Sequence, residues 1–86
     1  MYKLGINPEL SKKLNKLRKK NIIQYEPIFK KAVEIKMDPH RYKNLNAPLN
    51  HLKRVHIDKH FVLVFSVDEE SKTVVLEDYD HHDNIY

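Results

Sequence analysis

The chain has 86 residues, enough for one small domain with a single modest core. It contains no cysteine, which excludes disulfides and thiolate chemistry. The N-terminus lacks the apolar core of a signal peptide, and no apolar run is long enough to span a bilayer. We therefore expect one cytoplasmic domain, residues 1–86, without membrane contact.

The formal net charge of +4 conceals an asymmetry between the two parts of the chain. Residues 1–60 hold 15 Lys or Arg against 5 Asp or Glu, whereas residues 61–86 hold 1 against 7, so +10 and −6 give +4. A basic block of this kind suits a polyanionic partner, because phosphates attract Lys and Arg and release counterions on binding. A solvated, Lys-rich helix face explains the same charge equally well.

The first elements are a short strand and an amphipathic helix. Residues 2–6 can form the strand, and Asn7-Pro8-Glu9 is typical of a helix start because Asn caps, Pro fits the first turn and Glu complements the dipole. Apolar side chains then recur at helical spacing among many lysines: Leu10, Leu14 and Leu17. The pattern predicts one apolar stripe on a basic helix.

A second helix is predicted from about Ile22 to Met37. Pro27 interrupts its pattern, because an interior proline removes a backbone hydrogen bond and clashes with the preceding turn, so the helix either starts near Pro27 or kinks there. Asp38-Pro39 ends it. Residues 40–50 are predicted to form an irregular loop.

Three antiparallel strands follow, at about 52–57, 61–67 and 73–79, giving the order βααβββ. The prediction is an α+β fold in which two N-terminal helices pack on one face of an antiparallel sheet. Basic and apolar side chains alternate over residues 54–57, and successive side chains of a strand point to opposite faces. Val55 and Ile57 should face the core, while Arg54 and His56 should share the other face, termed here the open face.

The predicted strands and the C-terminal run together resemble the RelE/ParE superfamily of toxin proteins. The resemblance covers nearly the whole chain and depends on the ordered set: Arg54-Val55-His56-Ile57, Phe61-Val62-Leu63-Val64-Phe65 and the ending His81-His82-Asp83-Asn84-Ile85-Tyr86. It implies a small basic toxin of a type II toxin–antitoxin system, with a RelB-like antitoxin as its protein partner. Resemblance to the RelE branch, and within it to YafQ-like members, implies that the protein cleaves messenger RNA on the ribosome.

The resemblance also implies site residues. Arg54 and His56 match a basic pair on the second strand, His82 matches a terminal Arg or His, and Tyr86 matches a terminal aromatic. His60 lies at the neighbouring turn. The cationic side chains expected to hold the RNA backbone, together with His60, are Arg41, Lys43 and Lys53.

RNA cleavage by the 2′-hydroxyl requires removal of one proton, supply of another and stabilisation of charge on phosphorus. Histidine suits proton transfer near neutral pH, and the planar guanidinium of arginine donates to two phosphate oxygens. The hypothesis makes His56 and His82 the acid–base pair, in either order, with Arg54 on the phosphate. Tyr86 would stack a base or join the proton relay.

Several alternatives remain open at the level of sequence. A third-strand Arg common in the family falls at about Val62 here, and the customary Gly before the terminal His is Asp80. The chain could therefore be a degenerate toxin that binds RNA or antitoxin without cleavage, or a ParE-like gyrase inhibitor. His56 could be an ordinary solvent-facing strand residue, Tyr86 a packing plug, and Arg54 the partner of an Asp on a neighbouring strand.

Six histidines raise the question of a metal site. His56, His60 and His82 with an Asp could bind zinc or nickel, but no HExxH or Cys/His spacing supports this. Gly5 is the only glycine, so a phosphate-binding glycine loop is excluded. We expect neither a metal nor a cofactor.

Overall fold

The computed structural model describes residues 1–85. A short 3-10 turn, Pro39–Arg41, follows the second helix. The other elements, in chain order, are β1 (Lys3–Ile6), α1 (Pro8–Lys20), α2 (Ile22–Met37), β2 (Lys53–His56), β3 (Phe61–Asp68), β4 (Thr73–His81) and α3 (His82–Ile85). The predicted βααβββ order is confirmed, and the single turn α3 adds an element that was not predicted.

Both long helices begin at an asparagine cap. Asn7 Oδ1 accepts the backbone N–H of Glu9 at 2.9 Å, and Asn21 Oδ1 accepts that of Gln24 at 3.2 Å. Each bond satisfies one of the donors that a helix start leaves unpaired. Asn21 also ends α1, because its backbone N–H donates to the carbonyl of Leu17. One residue therefore separates the two helices.

Pro27 lies inside α2, which runs without interruption from Ile22 to Met37. The predicted bounds, Ile22 to Met37, are confirmed, and of the two alternatives at Pro27 the structure excludes a helix start there. The missing N–H of Pro27 costs one bond to the first turn of the helix. Asn21 supplies a compensating bond at that turn, and Ile28 and Ala32 bury the following turns against the core.

The sheet has the strand order β1-β4-β3-β2. β3 pairs antiparallel with both β2 and β4, and β1 pairs parallel with β4. The sheet is thus mixed, and the pairing of the three C-terminal strands is antiparallel as predicted. The parallel pair forms because α1 and α2 carry the chain back across the sheet before it returns to β4.

The main core lies between the two helices and one face of the sheet, as predicted. Its buried side chains come from α1, α2, β3 and β4: Leu10, Leu14, Ile28, Ala32, Ile35, Leu63, Phe65, Val74, Leu76 and Tyr79. The hydroxyl of Tyr79 accepts a hydrogen bond from Gln24 Nε2 at 3.1 Å. Val55 and Ile57 pack against this cluster, so the predicted orientation of these two side chains is confirmed.

The open face has a smaller cluster of its own. Val62 and Val64 of β3 pack with Leu45, and the half-buried Leu52 and Ile85 cover them. Leu45 reaches this position because residues 43–45 extend alongside β2: its backbone N–H donates to the carbonyl of Leu52 at 2.9 Å. The open face is therefore partly roofed by the loop before β2 and by α3.

None of the helices within residues 1–85 is long and apolar enough to cross a membrane.

A polar cluster joins the N-terminus, the 3-10 turn and the β3–β4 turn. Glu69 accepts hydrogen bonds from the hydroxyl of Tyr2 at 2.7 Å and from Lys72 Nζ at 2.6 Å, and it also contacts the ring of His40. The bond from Lys72, with those from Tyr2 and His40, lowers the pKa of Glu69 from 4.5 to about 2. The carboxylate therefore links three segments that are distant in sequence.

Replacing Glu69→Gln is expected to lower the melting temperature at neutral pH. The folded-state pKa is depressed, so the stabilisation is fully present above the unfolded pKa near 4.5 and is lost as pH falls towards about 2. The difference between wild type and Glu69→Gln should accordingly shrink over that window in thermal melts. Glu70→Gln, in the same turn, is the control and should change little; equal effects from both variants would contradict this role.

Candidate active site

Arg54 and His56 lie on the open face of β2. The antiparallel register aligns Arg54 with Val64, and His56 with Val62. Both valines belong to the open-face cluster, so the two polar side chains share the face predicted from the period of two. β2 is the edge strand of the sheet, and Arg54 is half-buried whereas His56 is exposed.

His82 reaches the same face from the end of β4. The backbone N–H of His82 donates to the carbonyl of His60 at 2.6 Å, where the strand passes into α3. The rings of His56 and His82 stack with centroids 5.8 Å apart and an interplanar angle of 27°. The structure thus brings together the two predicted catalytic histidines, one from β2 and one from the start of α3, although β2 and β4 are not adjacent in the sheet.

Asp83 lies between two successive histidines. Its Oδ1 is 3.5 Å from His82 Nδ1, and its Oδ2 is 3.6 Å from His81 Nδ1. The backbone N–H of Asp83 also donates to His81 Nδ1 at 3.2 Å. A carboxylate beside an imidazole nitrogen can orient the ring, so Asp83 is a further candidate for the site that the sequence prediction did not include.

His60 belongs to a second histidine pair. Its ring stacks with that of His81 at 5.9 Å and 11°, and His81 is aligned with Phe61, which packs against the main core. Asp58 supports this turn: the backbone N–H groups of His60 and Phe61 donate to its carboxylate and lower its pKa. His60 therefore stacks with His81, and the stacked partner of His56 is His82.

The predicted backbone-holding cations differ in their placement. Lys53 Nζ donates to the carbonyl of Tyr42 at 3.1 Å and to Asn44 Oδ1 at 2.8 Å, so it ties the loop to β2. Arg41 lies over the ring of Tyr42 at 5.5 Å. Lys43 is exposed, and its carbonyl accepts the backbone N–H of Arg54 at 3.0 Å. Strand alternation places the side chain of Lys43 on the same face as Leu45, which is the open face. Of Lys53 and Lys43, the two that flank Arg54, only Lys43 is given the open face by strand alternation.

The open face is electrically divided. Lys43, Arg54 and His56 lie at the β2 edge, whereas Asp78 and Asp80 lie on β4, aligned with Val64 and Val62. Hydrogen bonds from Asn84 and from the backbone N–H of His81, with a contribution from Lys13, lower the pKa of Asp80. The charged side chains of this face therefore change from basic on β2 to acidic on β4.

Val62 occupies the position where the resemblance leads one to expect an arginine. It is fully buried and lies between His56 and Asp80 in one row across the three strands. Cationic groups near the histidine pair come from β2 and the preceding loop instead. Tyr86, the remaining predicted catalytic residue, lies outside the described residues.

Within residues 1–85, no group of three or more His, Asp or Glu side chains is arranged to hold a metal ion. The two stacked histidine pairs are instead arranged as ring contacts.

Solved structures with the same fold are toxins. The YoeB/ParE toxin from Agrobacterium tumefaciens superposes with a TM-score of 0.81 at 13% identity, over 93% of this chain and 98% of that chain. The isolated RelE toxin of E. coli superposes with a TM-score of 0.75 at 21% identity, over 94% and 84%. Two helices on one face of a four-stranded mixed sheet thus define a RelE-like toxin fold.

Sequence relatives establish the family. No family model matches the chain. A protein of Methanosarcina mazei described as uncharacterized is 70% identical over 86 residues, the full length of both chains. The candidate toxin RelE4 of Methanocaldococcus jannaschii is 58% identical over all of this chain and 92% of that protein. The chain belongs to the RelE/ParE superfamily of toxins.

Proposed function

We propose that this toxin-family chain is a ribosome-dependent endoribonuclease that cleaves messenger RNA. The observation that carries the proposal is the stacked pair of His56 and His82, with Arg54 on the same exposed face. Two imidazoles and a guanidinium can supply the proton acceptor, the proton donor and the charge stabilisation that a 2′-hydroxyl attack on phosphorus requires. A protein that acts only by binding needs no such set.

In the proposed reaction, one histidine takes the proton of the 2′-hydroxyl as its oxygen attacks the adjacent phosphorus. The other gives a proton to the 5′-oxygen as its bond to phosphorus breaks. Arg54 donates to the phosphoryl oxygens while their charge grows. Lys43, Arg41, His60 and Tyr86 would position the RNA, and Lys53 would contribute mainly by holding the loop.

We further propose a RelB-like antitoxin as the protein partner. Solved structures of this fold include the toxin–antitoxin complex RelBE2 of Mycobacterium tuberculosis, with a TM-score of 0.76 and 22% identity. The exposed Phe29 of α2 lines one apolar pocket together with Leu4 and Ile6 of β1, which are also exposed, and a patch of large apolar side chains on a surface is typical of a protein interface. An amphipathic antitoxin helix or an added strand would bury this patch.

A translation extract tests the proposed activity. Primer extension on a translated messenger should show discrete stops when the purified toxin is added, and the stops should disappear when a co-expressed antitoxin is present. Gyrase supercoiling should be unchanged. Inhibited gyrase with intact messenger would favour the ParE-like alternative. If gyrase and messenger are both unaffected, the result would favour a toxin that has lost cleavage, and the buried Val62 in place of an arginine gives a reason for such a loss.

Replacing Arg54→Ala is expected to lower the cleavage rate about 10²- to 10³-fold, the range found when a donor to a developing anion is removed. Arg54→Lys should retain part of the activity, because lysine keeps the charge but loses the planar pair of donors. Single-turnover cleavage on ribosomes measures both, with Arg18→Ala on the exposed end of α1 as the control. Wild-type rates for Arg54→Ala would contradict the phosphate role.

A further inference from the structure

A pocket on the open face adjoins the histidine pair but has no part in the proton transfers. Its volume is about 310 Å³. Aliphatic side chains from the loop, β3 and α3 form its walls, and three polar side chains form its rim: Leu45, Leu49, Leu52, Val64 and Ile85, then Glu77, Asp78 and Asn84. Apolar side chains next to polar ones suit a nucleobase, which presents two apolar faces and a hydrogen-bonding edge.

A β-bulge places both acidic side chains at this pocket. Val64 is aligned with Asp78 and the next residue, Phe65, with Leu76, so Glu77 is the extra residue on β4. Consecutive residues of a regular strand point to opposite faces, and a bulge re-aims one of them. The hydroxyl of Ser66 donates to Glu77 Oε2 at 2.8 Å and holds its carboxylate in place.

The pocket lies beside the proposed reacting link. Arg54, Val64 and Asp78 form one row across β2, β3 and β4. Neighbouring strands are about 4.8 Å apart, so the backbone positions of Arg54 and Asp78, two strands apart, are separated by about 10 Å. A nucleotide with its phosphate at Arg54 can therefore direct its base into the pocket, towards Asp78.

We infer that this pocket selects the base next to the cleaved link, favouring guanine and rejecting uracil. The inference rests on the proposed nuclease function. Carboxylate oxygens only accept hydrogen bonds. Guanine presents two adjacent N–H donors on its Watson–Crick edge, whereas uracil presents a single N–H between two carbonyl oxygens, which two carboxylates repel.

The same two acids also border a cleft against α1, with Asn7, Glu9, Leu10 and Lys13. The lining of that cleft is mostly polar. Glu9 adds a third carboxylate to that cleft, which disfavours a negatively charged nucleotide. The cation of the cleft, Lys13, already donates from Nζ to the carbonyl of Tyr79. The apolar pocket next to Arg54 is therefore the better fit for a base.

The test uses a set of messengers that differ only in the base at the cleaved position, read by primer extension on translating ribosomes. Wild type should cleave the guanine messenger at least about fivefold faster than the uracil messenger, within the range for a good base contact. Asp78→Asn should remove most of that ratio, because an amide can donate to a uracil carbonyl. Glu70→Gln, which removes the same charge in the β3–β4 turn, should retain it.

The outcomes separate this inference from the proposed function. If no messenger is cleaved, the proposed nuclease function fails. If all messengers are cleaved at equal rates, or if Asp78→Asn keeps the wild-type ratio while remaining folded by circular dichroism, the base pocket is refuted and the nuclease function stands. Uracil preferred over guanine would also overturn the inference.

Discussion

Replacing His82→Ala or His56→Ala is expected to lower the rate of messenger cleavage by about 10²- to 10⁴-fold, the contribution typical of general acid–base catalysis. The two rings stack at 5.8 Å, so one phosphodiester link can contact both. The two histidines act as one unit, because one takes a proton and the other supplies one in the same reaction. The double variant should therefore cleave only slightly more slowly than the less active of the two single variants. Single-turnover cleavage on programmed ribosomes gives all three rates.

His51→Ala is the matched control, because His51 is an exposed histidine of the loop before β2. It should cleave at the wild-type rate. Thermal melts should show that all of these variants are folded, since His56 is exposed and His82 is half-buried. Cleavage that survives the loss of both histidines would contradict the acid–base assignment.

Replacing Phe65→Ala is expected to lower the free energy of unfolding by about 3–5 kcal/mol, through lost burial and the cavity left behind. Phe65 is fully buried on β3, the strand between β2 and β4, and the ring of Tyr42 meets it edge-on at 5.8 Å. A loss of this size is a large part of the stability of a small domain. Urea unfolding measures it.

Phe29→Ala makes the same chemical change on the surface of α2, where Phe29 is 58% exposed. Its effect on unfolding should be within about 0.5 kcal/mol. Phe29→Ala should also weaken antitoxin binding if the antitoxin covers the apolar patch to which Phe29 belongs. Equal destabilisation by both Phe variants would contradict the central position assigned to β3.

Local pattern was sufficient to predict most of the fold. The cap at Asn7, the helical spacing of the leucines and the alternation over residues 54–57 each depend on neighbouring residues only, and the structure confirms them. The pairing of β1 with β4 and the bulge at Glu77 depend on contacts between distant segments. The helix continues through Pro27, one of the two alternatives left open there, because burial of the following turns outweighs the lost bond.

The candidate site was predictable to a smaller extent. The period of two placed Arg54 and His56 together, and the same rule applied to Lys53 would have assigned it to the opposite face. The pairing of His56 with His82 came from the family resemblance and not from local pattern, because it depends on the register of three strands: the row of His56, Val62 and Asp80 brings His82 alongside. His60 is adjacent in sequence to β3 but stacks with His81.

The most direct test of the central claim is the chemistry of the cut ends. Mass spectrometry of messenger fragments from toxin-treated ribosomes should find a 2′,3′-cyclic phosphate, or its hydrolysed 3′-phosphate, on one side and a 5′-hydroxyl on the other, as attack by the 2′-oxygen requires. A messenger with a single 2′-deoxy sugar at the cleaved nucleotide should remain intact. Fragments with a 3′-hydroxyl and a 5′-phosphate, or cleavage of the deoxy-substituted messenger, would contradict the mechanism built on His56, His82 and Arg54.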